Sequence, residues 1–216
     1  HWMVHSFPTR RSSDLLPSLL AAADGDGDVL ACFVLDPRLE ASSGPRRLQF
    51  LGDSLRHLQD ELDGRLLVVR GAADKRIPLI AKDIGADAVH ISGDYTPYGR
   101  RRDEQVRRAL GDTPLVATGS PYLVSPGRIR KDDDTPYKVF TPYFRRWREH
   151  GWRDPAKSGA TSARWMAPSE VTHASLKPVP IPDPGVEMDV VAGEAAARAQ
   201  WRAFVAVHLD RQGEVE

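Results

Sequence analysis

The sequence predicts an α/β fold: an open, five-stranded, parallel Rossmann-like sheet with helices on both faces, followed by a linker and a terminal helix. Three observations carry this reading. Short apolar, β-branched runs alternate with helix-period segments from residue 28 to 118, the pattern of stacked βαβ units. The texture then changes after Gly151, and a helical period resumes only at Gly193.

Taken in order, Val29–Leu35 is the first clear strand. Leu48, Leu51, Leu55, Leu58 and Leu62 recur at three- and four-residue intervals, which predicts an amphipathic helix from about Pro45 to Asp63 that ends at Gly64. Leu66–Val69 returns as a strand, and Asp74 is the expected cap of a helix reaching Ile84. Ala88–Ile91 is the next strand, Arg100–Leu110 an arginine-rich helix, and Leu115–Ala117 a short last strand. Right-handed crossovers place these helices on both faces of the sheet.

Between Thr135 and Trp147 the chain reads T-P-Y-K-V-F-T-P-Y-F-R-R-W. Pro136 and Pro142 stiffen the backbone before them, so a helix is expected to begin near Pro142 with Thr141 as its cap. Its aromatics and the cations Arg145, Arg146 and Arg148 form either a working surface or the packed face of an amphipathic helix. Asp154–Asp189, rich in proline, serine and alanine, reads as a surface linker. Trp201, Phe204, Val205 and Leu209 on the last helix need a partner.

The amino terminus breaks the pattern. A strand is required before the helix at Leu16–Ala23, yet residues 6–14, S-F-P-T-R-R-S-S-D, form a poor one and His1–His5 offers only a short one. The expectation is that the central first strand is missing or replaced, with residues 1–14 a disordered leader or foreign sequence.

Thirty basic and thirty acidic side chains cancel, so any anion binding must be local. The single cysteine, Cys32, sits in an apolar run and points to a reducing compartment without internal disulfides. No apolar stretch approaches the roughly 20 residues that span a bilayer, so a cytoplasmic protein with no membrane partner is expected.

Asp24–Asp28 imitates the start of a calcium loop, but Leu35 stands where the bidentate carboxylate belongs. The seven histidines show no zinc-holding pair, and no metal is expected. Glycine-rich dinucleotide, phosphate-loop and nucleophile-elbow signatures are absent. The positional rule for open parallel sheets remains: ligands bind outside the carboxyl ends of the strands. There Asp36 follows one strand, and Gly93–Gly99 follows another, supplying Asp94, Tyr95, Thr96 and Tyr98. Such acceptors and aromatic walls suit a flat heterocycle, although both loops also serve as local caps.

Cys32–Pro37 (C-F-V-L-D-P), Asp94–Asp103 (D-Y-T-P-Y-G-R-R-R-D) and Thr135–Trp147, in this order and spacing, resemble the N-terminal domain of the DNA photolyase and cryptochrome family. The run from Gly193, G-E-A-A-A-R-A-Q-W-R-A-F, resembles the helix leading into that family's flavin domain. The resemblance implies a leader at 1–14, an α/β antenna domain at 15–151, an interdomain linker at 152–192, and the start of a helical FAD-binding domain at 193–216. It implies an N-terminal fragment of a class I type deoxyribodipyrimidine photolyase, monomeric at full length. In that enzyme reduced FAD splits cyclobutane pyrimidine dimers flipped out of damaged DNA. The fragment, lacking flavin and lesion positions, is expected to be catalytically inactive alone.

Residue by residue, Asp36, Arg47, Leu51 and Asp94 align with positions lining the deazaflavin pocket of relatives. Tyr98–Gly99 replaces the asparagine–glutamate pair of relatives that use methenyltetrahydrofolate, so deazaflavin is favoured. A cryptochrome photoreceptor and a free-standing nucleotide-binding module are the alternative identities. The arginines at 100, 101, 102, 107, 108, 145, 146 and 148 are candidates for DNA phosphate contacts, against solvated faces or interface ion pairs.

Overall fold

In the computed structural model, residues 2–5, 17–24, 27–119, 122–152 and 163–209 are described, with 2–5, 208 and 209 as backbone only. The strands are β1 (Trp2–His5), β2 (Asp28–Leu35), β3 (Leu66–Arg70), β4 (Ala88–Ile91), β5 (Leu115–Ala117) and the two-residue β6 (Arg164–Trp165). The helices are α1 (Pro17–Ala23), α2 (Pro37–Ser42), α3 (Pro45–Glu61), α4 (Ala73–Ile84), α5 (Pro97–Leu110), α6 (Phe140–His150) and α7 (Glu194–Phe204).

All pairings are parallel, in the order β3-β2-β1-β4-β5, and β6 joins β2 at Asp28 and Val29. The expectation of a missing central strand is therefore corrected. Trp2–His5 pairs with Val29–Cys32 on one side, and Trp2–Val4 pairs with Ala88–His90 on the other. A four-residue strand hydrogen-bonded on both edges satisfies its neighbours' backbone groups, which outweighs its shortness. Residues 6–14, expected to be a leader, lie outside the described residues.

Alternation along β2 sorts the two core layers. Leu30, Cys32 and Val34 face α4 and α5 through Ile77, Ile80, Ile84, Val106 and Leu110. Ala31 and Leu35 face α3 through Leu55 and Leu62, while Val29 meets Leu19 and Ala22 of α1. Helices thus cover both faces.

The segment after residue 162 is more than a surface linker. Met166 is 5% exposed and Leu176 only 1%, and both belong to the α4–α5 core layer. Thr172 and His173 donate their backbone N–H groups to Asp83 on α4, and Val179 N donates to Val68 O on the outer edge of β3. Farther along, the Arg56 guanidinium donates to Pro182 O, and Val186 N donates to Gln49. A Cβ at Gly52 would overlap that Pro182 carbonyl, so glycine on α3 lets the strap lie directly on the helix. Such a strap also shields the exposed edge of β3.

Two expected caps differ. The residue before α4 is Ala72, and Asp74 lies in the first turn; the residue before α6 is Val139, and Thr141 lies inside the helix.

Candidate functional site

The chain runs outward from β1 through β2 to β3, then returns to the other side of β1 for β4 and β5. Its topological switch therefore lies between β1 and β4, the place where an open parallel sheet is expected to take a ligand; of the segments at their carboxyl ends, the one after β4 is described, while residues 6–16 after β1 lie outside the described residues. Asp36, immediately after β2, is 8% exposed and caps α2 by accepting from Arg38 N at 2.9 Å. The Arg38 guanidinium grips the same carboxylate in a fork, at 3.0 Å from Nε and 2.6 Å from Nη2. The Arg38 side chain holds the Asp36 carboxyl below the usual carboxylate range, against the opposing effect of burial.

Tyr98, in the first turn of α5, points its hydroxyl to Asp36 Oδ2 at 3.4 Å. Two crossover helices that start on opposite sides of β1 thus meet over its carboxyl end. Tyr95 and Tyr98 both keep more than a third of their surface exposed, and Tyr95 stands edge-on to Tyr122 with centroids 5.9 Å apart.

Asp94 and Thr96 are engaged locally. Asp94 accepts from Thr96 N at 2.9 Å, and Thr96 Oγ1 caps α5 by accepting from Gly99 N at 3.0 Å. Gly99 has no room for a side chain, since a Cβ there would overlap the Asp94 carboxyl. Arg47, in the first turn of α3, is exposed, and its guanidinium has no partner among the described residues. Leu51 lies one turn further on and packs on the α3 core layer. The structure therefore joins Asp36 to Tyr98 and Asp94 to Thr96, and leaves Arg47 and Leu51 on a separate helix. Sequence reasoning missed Arg38 and Tyr122. The D-P-R order flags Arg38, because a residue two positions past a capping aspartate lies over it; no periodicity flags Tyr122.

The sequence model of the DNA photolyase family matches residues 10–161. The chain belongs to the DNA photolyase family. It is 34% identical over 200 residues to a deoxyribodipyrimidine photo-lyase of Thermus thermophilus, covering 92% of this chain and 43% of that protein. The chain thus spans less than half the length of that curated relative. Among solved structures, a Synechocystis cryptochrome shares the fold with a TM-score of 0.78 at 21% identity, over 97% of this chain and 46% of that one. The photolyase of the archaeon Sulfolobus tokodaii, described with two FAD molecules and a novel light-harvesting cofactor, gives 0.62 at 23% identity, over 74% and 37%.

In this photolyase-family chain the Thr135–Trp147 segment is mostly exposed, and no residue of α6 is buried. Phe140, 73% exposed, stacks on Phe144 with centroids 5.6 Å apart, Phe144 on Trp147 at 6.1 Å, and Trp147 meets Trp152 at 5.0 Å. The Arg148 guanidinium lies 5.9 Å from the Phe144 ring centre. On α7, Trp201 and Phe204 form a similar exposed stack at 5.8 Å. Several arginines on α5 sit in ion pairs: Arg102 with Asp103, and Arg107 and Arg108 with Glu104.

Burial pushes the Cys32 thiol up to about 12, which keeps it protonated and unreactive. No cluster of His, Cys, Asp and Glu suited to a metal ion occurs among the described residues, and none of the described helices is long and apolar enough to cross a membrane.

Proposed function

We propose that this chain is the antenna-chromophore domain of a deoxyribodipyrimidine photo-lyase. In this reading a helical FAD-binding domain continues from Gly193, and the crevice over β1 takes a deazaflavin in preference to methenyltetrahydrofolate. One observation carries the reading: a buried Asp36, its carboxylate gripped by Arg38, is approached by Tyr98 from the crossover helix on the other side of β1.

The residues fit such a ligand. Exchange of the long 3.4 Å Tyr98 contact would open one acceptor position on Asp36 Oδ2 to a polyol or ring N–H or O–H donor, and would free a Tyr98 hydroxyl able to donate or accept. The exposed rings of Tyr95 and Tyr98 offer walls for a flat heterocycle, and Arg47, exposed at the start of α3 with no guanidinium partner among the described residues, adds a cation. Asp94 and Thr96 contribute by fixing the turn that presents both tyrosines; Leu51 supports α3 from within. When bound, the chromophore supplies light absorption, and excitation passes to the flavin of the adjoining domain. Electron transfer to a pyrimidine dimer in damaged DNA belongs to that domain. The stacked, exposed aromatics of α6 and α7 support a docked partner domain, because apolar surface of this extent is otherwise costly to leave in water.

Illumination provides the test. With reduced FAD and DNA carrying cyclobutane dimers, the chain alone is expected to leave the dimers intact, yet to give a saturable red shift on adding a deazaflavin. Dimer splitting by this chain without a further domain would contradict the assignment.

A further inference from the structure

A cavity of about 510 Å³ opens between the Gly127–Asp134 loop and the last turns of α6, and neither Asp36, Asp94 nor Tyr98 lines it. Its polar lining is weighted toward cations, with Arg128, Arg130 and Arg146 against Asp134 and Glu149. Arg130 is preset as a fork: Nε donates to Gly127 O at 3.1 Å and Nη1 to Asp134 O at 2.9 Å. These bonds leave Nη2 without an acceptor among the described residues. Arg128 is anchored only through its backbone, where its N donates to Ser125 O, and its guanidinium has no partner among the described residues. Arg146 meets Glu149 at 3.4 Å in a pair more than half exposed on both sides, a contact that an incoming anion can exchange at little cost.

His150 Nδ1 donates to Gly151 O at 2.8 Å. Asp134, which lines the cavity, meets Arg130 Nη1 through Oδ2 at 3.5 Å in an exposed pair that an anion can exchange, while Asp133 accepts from Thr135 N and Oγ1. The carbonyl end of α6 adds partial negative charge, which Arg146 and Arg148 offset from the last turns.

We infer that this cavity is a phosphate-binding site, taking either a free phosphoester or a phosphodiester of a nucleic-acid backbone. Paired guanidinium N–H groups match phosphate oxygens in geometry as well as charge, and three arginines against two carboxylates leave room for one anion. The volume suits a nucleotide-sized group.

The test uses the whole 216-residue chain. Inorganic pyrophosphate is titrated in one arm and a short single-stranded oligonucleotide in the other, with succinate as an anion lacking phosphate geometry. Saturable binding of pyrophosphate is expected, weakened about tenfold by Arg128→Ala, a loss typical of one charged hydrogen bond. Glu149→Gln, which frees Arg146, is expected to tighten binding, a gain that loss of stability cannot imitate. Tighter binding of the oligonucleotide, with a salt slope reduced by about one in Arg128→Ala, assigns the phosphate to nucleic acid. Tighter pyrophosphate assigns it to a free phosphoester. No saturable binding, equal binding of succinate, or binding unchanged by both substitutions would overturn the inference.

Discussion

The Tyr98 hydroxyl lies 3.4 Å from Asp36 Oδ2, joining residues 62 positions apart across the carboxyl end of the central strand. At that length the bond adds little stability, and the Arg38 fork and the α2 cap account for most of what Asp36 contributes. The relationship matters because it brings a carboxylate and a phenol from different crossovers together.

Asp36→Ala removes a helix cap and strands Arg38, and should cost about 1 kcal/mol of stability in urea unfolding. Because Arg38 lowers the folded-state pKa of Asp36, its contribution is present above about pH 4, the ordinary aspartate value, and is lost as pH falls through the lowered folded value. Asp36→Asn should therefore flatten the acid limb of the stability profile, while Tyr98→Phe leaves it in place.

His90 lies within β4, 4% exposed, and burial lowers its pKa by disfavouring the charged ring. The unfolded chain then binds the proton more readily than the folded one. Stability is complete above about pH 6.5, the ordinary histidine value, and declines as pH falls below it. His90→Gln should remove this slope between pH 6.5 and 5, as followed by thermal midpoints at stepped pH.

Gly52 separates helix propensity from tertiary contact. In an isolated α3 peptide Gly52→Ala should raise helicity, since alanine is the better helix former by about 1 kcal/mol. In the folded chain the added methyl meets the Pro182 carbonyl, so the same change should destabilise by about 1–3 kcal/mol and speed proteolysis of the strap after residue 177. A stabilised chain would mean that the strap does not rest on α3.

Leu176 belongs to an irregular segment yet is 1% exposed within the α4–α5 layer. Leu176→Ala should cost about 2–5 kcal/mol, the range for a buried leucine, whereas Val191→Ala on the exposed part of the same strap should stay within about 0.5 kcal/mol.

Much of the sheet was legible because its β-branched runs leave little alternative to strand, and Leu115–Ala117 falls on the residues anticipated. The leucine period of α3 was equally readable. The central strand was obscured because residues 6–14 draw attention as poor strand formers, while Trp2–His5 earns its place from two neighbours' ladders that propensity cannot register. Met166 and Leu176 escaped notice because an irregular strap buries single anchors with no period. Around the proposed site, the positional rule pointed to Asp36 and the Asp94–Tyr98 turn, which the fold sets after β2 and β4, but it gave no sign of the contact between Tyr95 and Tyr122, which depends on how two loops fold together.

Equilibrium titration of the chain with a deazaflavin, followed by absorbance and compared with Asp36→Ala, tests the central claim most directly. The account predicts saturable binding with a red-shifted band in the wild-type chain and binding weaker by about tenfold in the variant, the cost of one hydrogen bond to a charged group. An unshifted spectrum in the wild type, or equal binding by the two proteins, would contradict it.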